Sequence, residues 1–224
     1  MTEETFARIE AHMLARMNDG AHDAQHVYRV LYAALDLASG LKLDMDALIA
    51  AALLHDIGRE AQFKDPALDH AAVGADLAVN YLRGLGWPEG RVSLAAACIR
   101  THRYRKNAEP ESPEAKILFD ADKLDVAGAI GIARTLAYKG IVAEPFYSLD
   151  EAGRVLNGDG DAAASFFQEY RWKLEKVYEG FYTEKARATA AGRRAAAASF
   201  YESMLDEVRC AHRDGRARLE AVLD

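Results

Sequence analysis

Apolar residues recur at intervals of three and four along nearly the whole chain, and no stretch alternates apolar and polar residues as a strand would. That pattern restricts the chain to packed helices. Abundant alanine and only five prolines among 224 residues point the same way. A chain of this length can build a substantial core, and we read residues 1–224 as a single all-α domain.

The spacing predicts helices over 2–17 and 23–39, the first with Glu3 and Glu4 in its opening turn and the second stopped by Gly40. Asp44 is the expected cap of a third helix, and Asp69 of one over 69–85. Trp87 and Pro88 open another, reaching His102. Ser112-Pro113-Glu114 is a strong helix start, with serine as cap and proline at the first helical position. A further helix is expected over 126–139. The stretch 141–160, with Pro145, Gly153, Gly158 and Gly160, breaks the pattern and reads as a loop or lid. Two long helices are expected after it, over 162–179 and 183–212, their aromatic residues packed in a core.

The net charge of −7 argues against general affinity for nucleic acid or for anionic membranes. Cys98 and Cys210 lie far apart without CxxC spacing, which reads as free thiols in a reducing compartment. The start MTEETFARIE reads as an amphipathic helix rather than a signal peptide. No apolar run approaches the ~18 residues needed to span a bilayer. A cytoplasmic enzyme or binding protein is the resulting expectation.

Within this frame the stretch LIAAALLHDIGRE, Leu48 to Glu60, stands out. Seven apolar residues run directly into His55 and Asp56. A carboxylate beside a core is costly unless something pairs with it or it binds a metal. Adjacent residues on a helix point about 100° apart, so both side chains can reach one ion only near the helix end. We expect Gly58 to relax the backbone there. His26 and Asp122 also fall at or near the ends of apolar helical stretches. Each alone has an ordinary explanation: a satisfied core histidine for His26, a pair with Lys123 or Arg134 for Asp122, a helix cap for Asp56. Together, two imidazoles and two carboxylates form a mixed N/O set suited to a divalent transition metal.

The order of His, then His-Asp, then a distant Asp, in AHDAQHVYRV, LLHDIGRE and FDADKLD, resembles the HD-domain superfamily of metal-dependent phosphohydrolases. The likeness covers about 20–140, and the longer stretches are similar to a bacterial subgroup that includes nucleotide pyrophosphohydrolases. It implies an HD helical bundle over about 20–140 with additional C-terminal helices over about 161–214. It also implies His26, His55, Asp56 and Asp122 as ligands of one divalent ion, with Mn or Ni favoured over Mg, Co, Fe and Zn. His26 rather than His22 fits the first position, because Arg29 and Val30 follow it at the family's spacing. His22 is then a substrate-facing candidate, and Asp120 and Asp125 are candidates for orienting ligands or the attacking water.

Arg59, Lys64, Arg103 and Arg105 cluster near these motifs and are candidates for binding phosphate. His70 and His102, with Asp56 and Lys123, are the candidate catalytic groups, the two histidines as proton donors or as ligands of a second metal. The expected reaction is hydrolysis of a phosphate ester or anhydride, with a nucleotide as leading substrate. Two other readings stay open: a di-iron oxygenase, which needs His70 and His102 in a two-metal cluster, and a non-catalytic nucleotide-binding module. A homodimer through the last helices also stays open.

Overall fold

The computed structural model describes residues 1–17, 24–103 and 109–223. Among them the chain is all-α, with a lone bridge between Leu149 and Val155 as its only β pairing. His22 and Arg105, two of the candidate site residues, lie outside the described residues. No described helix is long and apolar enough to cross a membrane.

The elements divide into two compact units, Met1–Asp125 with Phe181–Arg187, and Val126–Gly180 with Ala188–Asp224. In the first unit, α1 (Glu3–Leu14) starts where the Thr2 hydroxyl accepts from Thr5 N–H, and buries Ile9 and Met13 on one face. Helix α2 (Ala24–Ala38) buries Val27, Val30, Leu31, Ala34 and Leu37 at helical spacing. Helix α3 (Met45–Leu54) is capped by the Asp44 carboxylate, which accepts from Ala47 N–H. It is buried all round, because α1, α2 and the later helices Glu89–Arg100 and Pro113–Leu124 all pack against it. Its small alanines allow close approach, while Leu48, Leu53 and Leu54, fully buried, each contribute roughly 1.5–3 kcal/mol.

Helix α4 (Arg59–Lys64) follows the His-Asp turn. Helix α5 (His70–Gly84), capped by Asp69, pairs with α6 (Glu89–Arg100). Helix α7 (Pro113–Leu124) begins at the Ser112 cap, with the proline at its first position.

The second unit contains α8 (Gly128–Ile141), the short α9 (Phe166–Glu169) and most of α10 (Glu184–Leu223). The long helix expected over 162–179 is absent. The Ser165 hydroxyl caps the chain at Phe166 by accepting from Gln168 N–H, and the amides of Phe166 and Phe167 donate to the carbonyls of Pro145 and Phe146. After Glu169 the backbone widens into a π turn over Tyr170–Leu174. Tyr170 stacks on Tyr201 at 4.1 Å, and Phe166, Phe167, Leu174 and Leu205 fill the same core. Trp172 departs from the expected aromatic packing: it is 68% exposed. Helix α10 outlasts its expected end at 212, since its Ala-, Arg- and Glu-rich sequence tolerates Gly192 and Gly215.

The segment 141–165 is ordered onto its own unit. The Asp150 carboxylate accepts from Ala152 and Arg154 N–H, Leu156 N–H donates to the Ser148 carbonyl, and Val155 enters the core. Gly158 has φ +85, and a Cβ there would meet the Phe167 carbonyl at 2.1 Å, so only glycine fits.

Both cysteines are free, Cys98 buried and Cys210 exposed. Burial, helped by nearby Glu114, pushes the Cys98 thiol up to about 12. A thiol reagent is therefore expected to titrate one cysteine in the folded chain and two after unfolding. A Cys210→Ser variant that still reacts promptly when folded would contradict this placement.

Candidate metal centre

Helix α3 ends at Leu54, so His55 and Asp56 sit where the chain leaves the helix, as their adjacency requires. His55 Nδ1–H donates to the Ala52 carbonyl at 2.8 Å, which turns Nε2 inward as a lone pair. From α2, His26 Nδ1–H donates to Asp125 Oδ2 at 2.7 Å, and Arg29 holds the same carboxylate through Nε at 2.7 Å. Asp125 thereby fixes the ring of His26. Asp122 enters from the last turn of α7.

Four donor atoms converge. His26 Nε2 lies 3.3 Å from His55 Nε2, 3.5 Å from Asp56 Oδ2 and 3.4 Å from Asp122 Oδ1. His55 Nε2 lies 3.6 Å from Asp56 Oδ2 and 4.0 Å from Asp122 Oδ1. Two ligands each about 2.1 Å from one ion stand about 3.0 Å apart at a right angle and about 3.4 Å apart at the tetrahedral angle. The spacings from His26 Nε2, 3.3–3.5 Å, match a coordination shell, while Asp122 Oδ1 stands farther from His55 Nε2, at 4.0 Å.

The other oxygen of Asp56 faces a second group. Oδ1 accepts from Arg59 Nε at 2.9 Å and lies 3.5 Å from His70 Nε2 and 3.6 Å from His102 Nε2. His102 Nδ1–H donates to the Ile99 carbonyl at 2.7 Å, so its Nε2 also points inward as a lone pair. His70 Nδ1 sits 2.5 Å from Gln62 Oε1 and 2.7 Å from the Arg103 guanidinium. Asp56 thus stands between two triplets that can each hold a metal ion, His26–His55–Asp56 and Asp56–His70–His102.

The electrostatics call for positive charge. Burial opposes ionisation of Asp56, but His55, Arg59 and His26 hold its carboxyl well below the usual range. Burial likewise opposes ionisation of Asp122, and His26 outweighs it, again lowering the pKa. Burial disfavours a charged His26, yet Asp122, Asp125 and Asp56 overcome it and raise the imidazole to about 10. His55 is driven down to about 4 by burial, and His70 down to about 2 by burial and then Arg59. Asp56 Oδ2 and His102 Nε2 are buried and have no hydrogen-bond partner. The neutral imidazoles of His55 and His70, the buried, unpartnered Asp56 Oδ2, and carboxylates that hold a positive charge on His26 together fit a divalent cation.

Gly58 has a different role from the one expected. Its φ of −86 is ordinary right-handed backbone, not a relaxed turn. A Cβ there would meet the His70 carbonyl at 2.2 Å and the Gly74 nitrogen at 2.6 Å. The absent side chain lets the His-Asp turn rest against the start of α5, which carries His70. Gly58→Ala is therefore expected to cost roughly 1–3 kcal/mol in urea unfolding, the range for overpacking. An unchanged midpoint would contradict the close contact.

The remaining candidates are placed as follows. Arg59 and Arg103 border the centre through Asp56 and His70. Lys64 pairs with exposed Glu60 on the outer side of α4. The Lys123 ammonium lies over the rings of Phe119 and Phe181, at 5.6 and 4.8 Å from their centroids. Asp120, proposed to orient a ligand or water, instead accepts from Tyr182 N–H, Thr183 N–H and the Thr183 hydroxyl. Gln62 was not anticipated, and its only sequence signal is its place three residues after Arg59.

A sequence model of the HD domain matches residues 23–127, which contain every donor described above. A crystal structure of a predicted HD superfamily hydrolase from an uncultured Thermotogales bacterium is 30% identical, with a TM-score of 0.60 and 92% of each chain covered. The chain belongs to the HD-domain superfamily. A HD-superfamily hydrolase from Bacillus thuringiensis is 27% identical with a TM-score of 0.68, covering 92% of this chain and 97% of that one. The uncharacterized protein YpgQ of Bacillus subtilis is 29% identical over 170 residues, 75% of this chain and 76% of that protein. A crystal structure of YpgQ in complex with ADP shares the fold at a TM-score of 0.70 and 22% identity, with 91% of this chain and 97% of that one covered. Membership in the HD superfamily supports a metal-dependent phosphohydrolase in general, and the His/Asp groups could hold a metal.

Proposed function

We propose that the chain hydrolyses a phosphate ester or anhydride of a nucleotide with the help of one divalent ion, Mn or Ni in preference, held by His26, His55, Asp56 and Asp122. The convergence of these four donors within 3.3–4.0 Å of the two imidazole Nε2 atoms carries the reading. When bound, the ion supplies Lewis acidity and lowers the pKa of a water it holds.

The chain's own residues supply the rest. Asp125 and the Ala52 carbonyl fix the two imidazoles so that each presents Nε2. Arg59 and Arg103 place guanidinium groups beside the centre, where they bind phosphoryl oxygens and offset developing charge. Between those cations His70 is neutral at physiological pH, so we assign it as a ligand or acceptor rather than a proton donor. A nucleotide substrate draws support from the ADP complex of YpgQ.

The test is a hydrolysis screen of nucleoside mono-, di- and triphosphates and sugar phosphates against Mn, Ni, Co and Mg, with product identification. Turnover of a nucleotide that vanishes on chelation and returns with metal is expected. Full activity in metal-stripped protein, or no turnover across the screen, would reject the reading.

One observation favours a second arrangement. The buried, unpartnered Nε2 of His102 faces Asp56 Oδ1 alongside His70, and these three residues would hold a second cation. Elemental analysis separates the two: two ions per chain, falling to one in His102→Ala, supports the second arrangement, whereas one ion in both proteins supports the first.

A further inference from the structure

A cavity of ≈ 770 Å³ lies in the second unit, between the turn around Asp150–Asn157 and the last part of α10. That volume is in the range of small-molecule sites. Its helical wall is a stripe at helical spacing: Arg209, His212, Arg213, Arg216 and Glu220. Arg154 faces it from the turn. The lining therefore offers four guanidinium groups against the carboxylates of Asp150 and Glu220, in a chain whose net charge is −7.

Carboxylates offset only part of that charge: Asp150 pairs with Arg154, and Asp214 Oδ1 accepts from Arg213 Nε at 2.8 Å. Asp150 is consumed by its own turn, accepting from the amides of Ala152 and Arg154 and from Arg154 Nε. Glu220 approaches Arg216 at 3.9 Å, outside hydrogen-bond distance. Arg209 has no carboxylate within 4.0 Å among the described residues. The walls are also fixed. Arg216 donates to the Ala152 carbonyl at 2.5 Å, Gly153 N–H donates to the Asp150 carbonyl, and the Tyr147 hydroxyl meets His212 Nε2 at 2.9 Å. Gly153 has φ +72, and a Cβ there would meet the Arg216 guanidinium at 3.1 Å, so the glycine leaves that arginine its place.

We propose that this cavity binds a phosphorylated small molecule, separately from the metal centre, through Arg209, Arg213 and Arg216. Guanidinium forks match phosphate oxygens in geometry as well as in charge. A concave volume of this size suits a compact polyanion.

The test is calorimetric titration of the full-length chain with inorganic tripolyphosphate in EDTA at low salt. Saturable binding is expected, weakened at least about tenfold in the Arg209→Ala, Arg213→Ala double variant. Glu220→Gln removes a wall carboxylate and is expected to tighten binding. Arg218→Ala removes one positive charge from α10 away from the cavity lining and is expected to leave the affinity unchanged. Arg209, Arg213, Arg218 and Glu220 are exposed, and circular dichroism checks that the variants remain folded. Absence of binding in the wild type would overturn the proposal. So would a double variant within twofold of wild type, or an Arg218→Ala loss equal to that of the cavity arginines. Since the titration contains no divalent metal and no turnover is read, its failure leaves the hydrolase reading untouched, and the reverse.

Discussion

Asp56→Ala is expected to lower metal-dependent turnover by about 10³-fold or more, while far-UV circular dichroism stays that of the helical fold. The magnitude follows from the position of the carboxylate. Its Oδ2 lies 3.5 and 3.6 Å from the Nε2 atoms of His26 and His55, and its Oδ1 lies 3.5 and 3.6 Å from those of His70 and His102. It is also the partner of Arg59. Alanine removes the one anion common to both triplets and leaves the Arg59 guanidinium without that partner. Asp56→Asn keeps the shape but not the charge, and is expected to fall nearly as far. Steady-state rates over a range of Mn concentrations distinguish lost affinity from lost chemistry. Activity within tenfold of wild type at saturating metal would remove Asp56 from the centre of the account.

Asp120→Ala is expected to be the most damaging change to stability away from the metal ligands, at roughly 3–5 kcal/mol. The Asp120 side chain is fully buried. It accepts from Tyr182 N–H at 2.9 Å and from both the amide and the hydroxyl of Thr183 at 2.7 Å. These bonds attach the start of α10 to α7, since the Thr183 hydroxyl in turn accepts from Ala186 N–H. Alanine leaves three donors without their acceptor in a buried setting. Asp120→Asn retains one acceptor oxygen but sets an NH₂ group against donors, so an intermediate loss is expected. Urea denaturation of the three proteins measures the series. A cost under about 1 kcal/mol for the alanine variant would show that water replaces the carboxylate freely, against its burial.

The parts legible in the sequence are those whose causes are local. Asp44, Asp69 and Ser112 cap helices where their residue types and the following apolar spacing predicted. His26, His55 and Asp56 come together, with Asp122 Oδ1 3.4 Å from His26 Nε2, because each sits at or near a helix end, and helix ends can be read from pattern. What escaped depends on neighbours distant in sequence. Gly58 looked like a flexible terminator, but it is small because α5 lies against it. Asp120 and Asp125 flank Asp122 almost symmetrically in sequence, yet one serves the backbone of 182–183 and the other the ring of His26. Only the rotation of α7 in the fold separates those roles. The polyalanine start at 162 promised a helix that Ser165 and the carbonyls of Pro145 and Phe146 prevent. Helix α4, at six residues, is too short to show a period, although it brings both Arg59 and Gln62 to the centre.

The most direct measurement is anomalous diffraction at the manganese edge from crystals of the Mn-loaded chain. The account predicts a strong peak roughly 2.0–2.3 Å from His26 Nε2, His55 Nε2, Asp56 Oδ2 and Asp122 Oδ1, at the usual distance of nitrogen and oxygen ligands. No peak among those four atoms in crystals whose protein requires metal for activity, or a peak held by other residues, would contradict it.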